Sequence, residues 1–113
     1  MMTIYHNPRC RKSREGLRYL ESKGVEFHIV KYLETPLDKG ELTELIAKLG
    51  IEPIELVRTK EAVWKEHFKG KNLTREQVIE AMAQYPKLME RPVVVNGDKA
   101  VLARPAGRIE EIL

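Results

Sequence analysis

Nine residues, His6 to Arg14 (H-N-P-R-C-R-K-S-R), hold the only cysteine of the chain among three arginines and a lysine. A thiolate is a far better nucleophile than a thiol, and positive charge or the unpaired N–H groups of a helix's first turn stabilise it. Cys10 has both sources at hand: Arg9, Arg11, Lys12 and Arg14 are near it in sequence, and a helical pattern starts just after it. Most solitary cysteines pack as small hydrophobes. The surrounding charge argues against an apolar burial site here. The same exposed amides suit a tetrahedral oxyanion. Ser13 is in reach of the sulfur from the same turn, and the His6 ring can point toward the loop. The Cys-x-x-Ser spacing also puts Ser13 where a second cysteine would complete a dithiol pair, so any redox cycle at Cys10 needs an outside thiol.

The elements that must position these residues follow from the pattern of the chain. Residues 2 to 6 read as a short strand ended by Asn7-Pro8, and Arg11 to Lys23 as a helix stopped at Gly24. Residues 25 to 31 alternate Val25, Phe27 and Ile29 and predict a second strand, parallel to the first across the βαβ connection. Leu42, Leu45, Ile46 and Leu49 mark one helix face, and Thr74 with Gln77 forms a capping box ahead of Val78, Ile79 and Met82. Residues 53 to 58 and 61 to 68 predict two shorter helical segments. Pro92 to Ala103 has two β-rich arms around Asn96-Gly97, the signal of an antiparallel hairpin. A last amphipathic piece, Arg108 to Leu113, offers Ile109, Ile112 and Leu113 for packing.

With 113 residues, 42% hydrophobic and 33% charged, the chain suits one α/β domain over 1–113 with a helical insertion at about 38–90. It has no apolar run long enough to cross a membrane and no secretory leader, so a cytoplasmic protein is expected; it is also expected to be a monomer. Twenty Lys+Arg against 17 Asp+Glu leave a net charge of +3, enough for mild attraction of anions. A nucleic-acid partner is not expected without a long basic stripe and interleaved aromatics. His28 and His67 lack partners at ligand spacing, so no metal site is expected. Trp64 and Phe68, four apart, read as packing within a short helix.

Together, Y-H-N-P-x-C-x-x-S-R, the later V-R, R-P-V-V-V and a final R-P resemble the glutaredoxin-coupled arsenate reductases. These share a thioredoxin-like fold with the Spx-type transcription regulators. The resemblance spans essentially the whole chain. It implies a thioredoxin-like fold with a four-stranded mixed sheet from residues near 2 to 6, 25 to 31, 92 to 95 and 99 to 103. It further implies that Cys10 attacks arsenate, that His6 and Ser13 help to lower the thiol pKa, and that Arg58, Arg91 and Arg104 bind the oxyanion. Pro92 would be the cis-proline facing the active loop. Glutathione would be the cosubstrate and glutaredoxin the final reductant, with no tightly bound cofactor.

The residues suit that chemistry, since arsenate is a multiply charged anion and the arginine fork donates to paired oxygens. Two other readings stand beside it, the first of a different class. One is a regulator that binds RNA polymerase, which Ser13 disfavours by removing the second thiol of a C-x-x-C switch. The other is a glutathione-dependent thiol oxidoreductase with another substrate, which the bulky Arg11-Lys12 pair between Cys10 and Ser13 would suit.

Overall fold

Short β-branched runs at both ends of the chain build the sheet, and the computed structural model describes every residue from 1 to 113. The strands are β1 (Met2–Tyr5), β2 (Phe27–Val30), β3 (Val93–Asn96) and β4 (Lys99–Leu102), and the helices are α1 (Arg11–Ser22), α2 (Lys39–Leu49), α3 (Ala62–His67) and α4 (Arg75–Gln84). By its contacts the chain divides into two units, Met1–Thr35 with Arg91–Leu113, and Pro36–Glu90.

The first unit holds all four strands, in the order β2-β1-β3-β4. β1 runs parallel to β2 and antiparallel to β3, and β3 pairs antiparallel with β4. Parallel pairing of β1 and β2 demands a crossover, and α1 supplies it. The central strands carry the core. Met2, Ile4, Val94 and Val101 line one face, where Leu20 of α1 and Ile109 and Ile112 of a closing 3-10 helix (Ala106–Ile112) complete a buried cluster. Leu20 and Ile4 have no exposed surface, and burial of such a side chain contributes about 1.5 to 3 kcal/mol. Leu113, expected to join this packing, is instead exposed, because the 3-10 turn ends at Ile112 and the last residue has nothing to pack on.

Two further differences concern the strands. Ile29 alternates with Val25 and Phe27 in sequence, yet it is 47% exposed, because β2 is an edge strand whose face is incompletely covered. The hairpin turn sits one residue later than Asn96-Gly97 suggests. Asn96 still pairs with Lys99, so Gly97-Asp98 form the two-residue loop, with positive φ at Gly97 alone. This is the type II′ pattern, with glycine at the first central position. Asn96 then spends its side chain on the Ile112 carbonyl, at 2.6 Å, which ties the closing 3-10 turn to the hairpin.

The second unit is helical. Asp38 and Glu41 cap α2 reciprocally, Asp38 Oδ1 accepting from Glu41 N–H at 2.8 Å and Glu41 Oε1 from Asp38 N–H at 3.1 Å. Thr74 and Gln77 do the same for α4, as the capping box predicts. Leu42, Leu45 and Ile46 of α2 and Val78, Ile79, Ala81 and Met82 of α4 are buried, and these two helices pack together. Trp64 is buried on α3 with the Phe68 ring 5.2 Å away, which is the packing role read from their spacing.

A four-stranded mixed sheet with a βαβ start, a ββ-turn finish and helices inserted between them is a thioredoxin-like fold. No helix is long and apolar enough to cross a membrane.

One residue joins the two ends of the first unit. Gly16 is buried in the middle of α1, and a β-carbon built there would lie 2.6 Å from Cγ of Pro92. Alanine favours the helix over glycine by about 1 kcal/mol, but overpacking against a buried ring costs about 1 to 3 kcal/mol. The clash wins because the proline ring is not a flexible chain end that can swing aside. Gly16→Ala is therefore expected to lower Tm by several degrees in thermal unfolding; an unchanged or raised Tm would mean that α1 and Pro92 do not meet this closely.

Candidate active site

The loop that carries Cys10 is held by its own polar groups. Asn7-Pro8 ends β1, Asn7 Oδ1 accepts from Arg9 N–H at 3.0 Å, and the Asn7 carbonyl accepts from Cys10 N–H at 3.0 Å. This asparagine turn folds the chain back on itself. Cys10 then takes an extended conformation as the residue that caps α1, and its carbonyl receives the first intrahelical bond from Arg14 N–H at 3.0 Å. Its side chain closes no capping hydrogen bond and is half-buried. The sulfur is therefore left at the positive end of a helix whose first amides lack intrahelical partners.

Those surroundings set its ionisation. Burial pushes the Cys10 thiol up, but the Ser13 N–H, the Arg91 guanidinium and the Lys12 N–H together outweigh it, and the thiol lies below its ordinary value of 9.0. The stabilising cation is thus Arg91, from the segment just before β3. Three of the four charges adjacent in sequence are engaged elsewhere. Arg11 and Lys12 pair with Glu15 at 3.4 and 3.7 Å, and Arg14 Nη1 donates to the Pro8 carbonyl at 3.0 Å.

Ser13 and His6 form a different arrangement from the one their types suggested. Ser13 is fully buried, and its hydroxyl is spent away from the sulfur. It accepts from Asn7 N–H at 2.9 Å and lies 2.6 Å from His6 Nδ1. Asn7 N–H takes one lone pair of the hydroxyl, and the other lone pair or the hydroxyl proton meets Nδ1 of a neutral ring, whichever tautomer it adopts. The acidity of His6 fits this: burial first, then the charges of Lys31 and Arg14, hold its pKa below 6.5, only partly opposed by Ser13. His6 therefore braces the loop rather than adding charge to it. Ser13 acts on Cys10 through its backbone N–H, which the bracing holds in place.

A depressed histidine pKa means that the unfolded chain binds a proton that the folded chain resists. The folded state then keeps its full advantage above about pH 6.5 and loses it as pH falls toward the lower folded value. His6→Gln should flatten the fall in stability between about pH 7 and 5 in urea unfolding. An identical slope in the variant would show that His6 is not the group responsible.

The remaining expected residues divide by unit. Arg91 and Arg104 belong with the sheet, each followed by a cis peptide bond to proline, at Pro92 and Pro105. Arg91 Nε is buried with no partner inside the chain. Arg104 is half-buried, and its N–H donates to the Leu102 carbonyl at 2.9 Å. Arg58 lies in the helical unit, where its guanidinium meets two carboxylates, Glu61 and Glu90, each at 3.5 Å.

The sequence marks Asn7 only as a turn former and gives Gly16 no role. A glycine inside a helical pattern and an Asn-Pro pair were the available signals. No three His, Cys, Asp or Glu side chains gather into a metal-holding group.

The geometry on its own describes a cysteine with an acidified thiol at a helix N-terminus beside an arginine with a spare buried donor. Comparison with known proteins adds a family. The family model described as ArsC family matches residues 5–112. An uncharacterized protein, YfgD, of Escherichia coli K12 is 48% identical over 97% of this chain and 94% of its own. The arsenate reductase of Neisseria meningitidis serogroup A is 41% identical, over 97% of this chain and 96% of its own. Among solved structures, the arsenate reductase from Vibrio cholerae superposes with a TM-score of 0.95 at 43% identity, covering 99% of this chain and 97% of that one.

Proposed function

The chain belongs to the ArsC family, and from that premise we propose that it reduces arsenate to arsenite, with Cys10 as the nucleophile and glutathione and glutaredoxin as reductants. One observation carries the proposal: the acidified Cys10 thiol shares its site with Arg91, whose buried Nε has no partner in the chain. A buried, unpaired guanidinium donor is costly unless an acceptor fills it. An oxyanion is such an acceptor, and it would be held against the sulfur that attacks it.

In the proposed sequence the Cys10 thiolate displaces one oxygen of arsenate, which leaves as water after protonation, and a sulfur–arsenic(V) bond forms. Reduction to arsenic(III) needs two electrons, and two thiols supply them by becoming a disulfide. The chain holds one cysteine, so the second thiol comes from outside. Glutathione fills that place in this reading, and glutaredoxin then reduces the mixed disulfide so that Cys10 is free for another cycle. His6 and Ser13 keep the first-turn amide on the sulfur, and Pro92 packs on α1 at Gly16. Arg91 and Arg104 would bind the oxyanion. Arg58 is proposed as a further arsenate contact on the resemblance alone, and a cytoplasmic location goes with the reducing thiols that the cycle needs.

The test is arsenate-dependent NADPH consumption with glutathione, glutaredoxin and glutathione reductase. A saturable rate that disappears without arsenate or without glutathione is expected. No rate above the arsenate-free control would overturn the reading. Glutathione-dependent reduction of other disulfides in that case would support the thiol oxidoreductase instead.

A further inference from the structure

A cavity of about 310 Å³ is lined by His6, Asn7, Pro8 and Arg9 of the active loop and by Lys31, Leu33 and Glu34 beyond β2. Its walls are fixed. His6 N–H donates to the Val30 carbonyl at 2.9 Å, which holds the loop to the end of β2. The N–H groups of Glu34 and Thr35 both donate to the Lys31 carbonyl at 2.9 Å, which closes the opposite wall as a turn. Its volume is at the lower end of the range for small-molecule sites, roughly 300 to 1,000 Å³.

The charges on these walls are unspent. Arg9, Lys31 and Glu34 enter no ion pair within the chain, whereas Arg11, Lys12 and Arg14 around them are all engaged. Two cations, one carboxylate and the apolar surface of Pro8 and Leu33 therefore face one cavity, and Arg9 is the residue bonded to Cys10. Glutathione has the opposite pattern, two carboxylates and one ammonium on a short peptide whose thiol lies between them.

We propose that this cavity is the seat of the glutathione molecule that reacts at Cys10, with Arg9 and Lys31 on its two carboxylates and Glu34 on its ammonium. The proposal rests on the reading of glutathione as the cosubstrate. It adds a place and a selectivity, since a thiol held by its ends meets the Cys10 sulfur at a high effective concentration. A simple anion would use only the two cations and would gain nothing from Glu34.

The test needs no arsenate. The Cys10 thiolate attacks one sulfur of a disulfide, the sulfur–sulfur bond breaks, a mixed disulfide forms on Cys10 and the other half leaves as a thiolate. Rates of this exchange, followed by mass spectrometry, are compared for glutathione disulfide and the uncharged bis(2-hydroxyethyl) disulfide. The protein is expected to prefer glutathione disulfide. Arg9→Gln, Lys31→Gln and Glu34→Gln should each lower the ratio of the two rates about threefold to tenfold. All three side chains are exposed, so the variants should fold.

The Glu34→Gln result is the discriminating one. A general positive field would make the anionic disulfide react faster when this carboxylate is removed, so a rising ratio overturns the proposal. Ratios unchanged in Arg9→Gln and Lys31→Gln overturn it as well. Arsenate turnover without this selectivity would remove the subsite and leave the reductase. Selectivity without arsenate turnover would do the reverse.

Discussion

Cys10→Ser is expected to reduce arsenate-dependent NADPH consumption by more than about a thousandfold, the scale seen when a covalent nucleophile is removed. A serine hydroxyl at the same place gains the same helix amides and the same Arg91, but it does not ionise near neutral pH. It also forms no sulfur bond that a second thiol could attack. No other thiol exists in the chain to take over. The fold should be nearly unaffected, since Cys10 is half-buried and its side chain closes no hydrogen bond in the cap. The assay is therefore read beside thermal unfolding. A variant with a wild-type Tm and more than about a tenth of the activity would show that Cys10 is not the nucleophile, given the thousandfold loss that role implies.

Arg91→Ala should lower kcat/KM for arsenate by about a hundredfold to a thousandfold, the usual loss for one donor to a developing oxyanion. Two effects combine here. Arg91 is the one side-chain cation that lowers the Cys10 pKa, so its removal leaves burial less opposed and the thiol more often protonated. The pH profile for alkylation of Cys10 should accordingly move to higher pH. Its unpartnered Nε is also lost as a donor to the anion. Arg91→Lys separates the two. A lysine restores charge but not the planar fork, so the alkylation profile should return toward the wild type while KM for arsenate stays high. Unchanged kcat/KM in Arg91→Ala would remove the oxyanion role proposed for it.

Much of the sheet was legible because its signals are local. Strand-length β-branched runs, a turn-forming Asn-Pro, a capping box at Thr74 and glycine at a hairpin each act within a few residues. What the sequence did not settle depends on neighbours brought from elsewhere. Alternation showed that Val25, Phe27 and Ile29 share a face, but whether that face is covered depends on β2 being an edge strand. The one-residue shift at Gly97-Asp98 has a similar origin, since pairing of Asn96 with Lys99 is decided by the register against β1 and the tie to Ile112.

The site divides along the same line. Cys10 at a helix start follows from the loop sequence alone. Which cation serves it does not, because the four charges beside it in sequence were the obvious candidates and Arg91, some eighty residues away, is the one that acts. His6 and Ser13 were identified as residues but not by their bonds. Their types allow contact with the sulfur equally well, and only the turn at Asn7, which presents a backbone N–H to Ser13, turns the hydroxyl toward His6 instead. Gly16 shows its purpose only once Pro92 is packed on α1.

Protection of the thiol shows whether arsenate is held at Cys10 by Arg91. The rate of Cys10 alkylation by iodoacetamide is measured with increasing arsenate, in the parent and in Arg91→Ala, without any reductant present. Occupancy of the site and formation of the sulfur–arsenic bond both block the alkylating agent. A saturable slowing in the parent that is lost or strongly weakened in Arg91→Ala is the expected result. Alkylation indifferent to arsenate in the parent would mean that Arg91 holds no arsenate at Cys10.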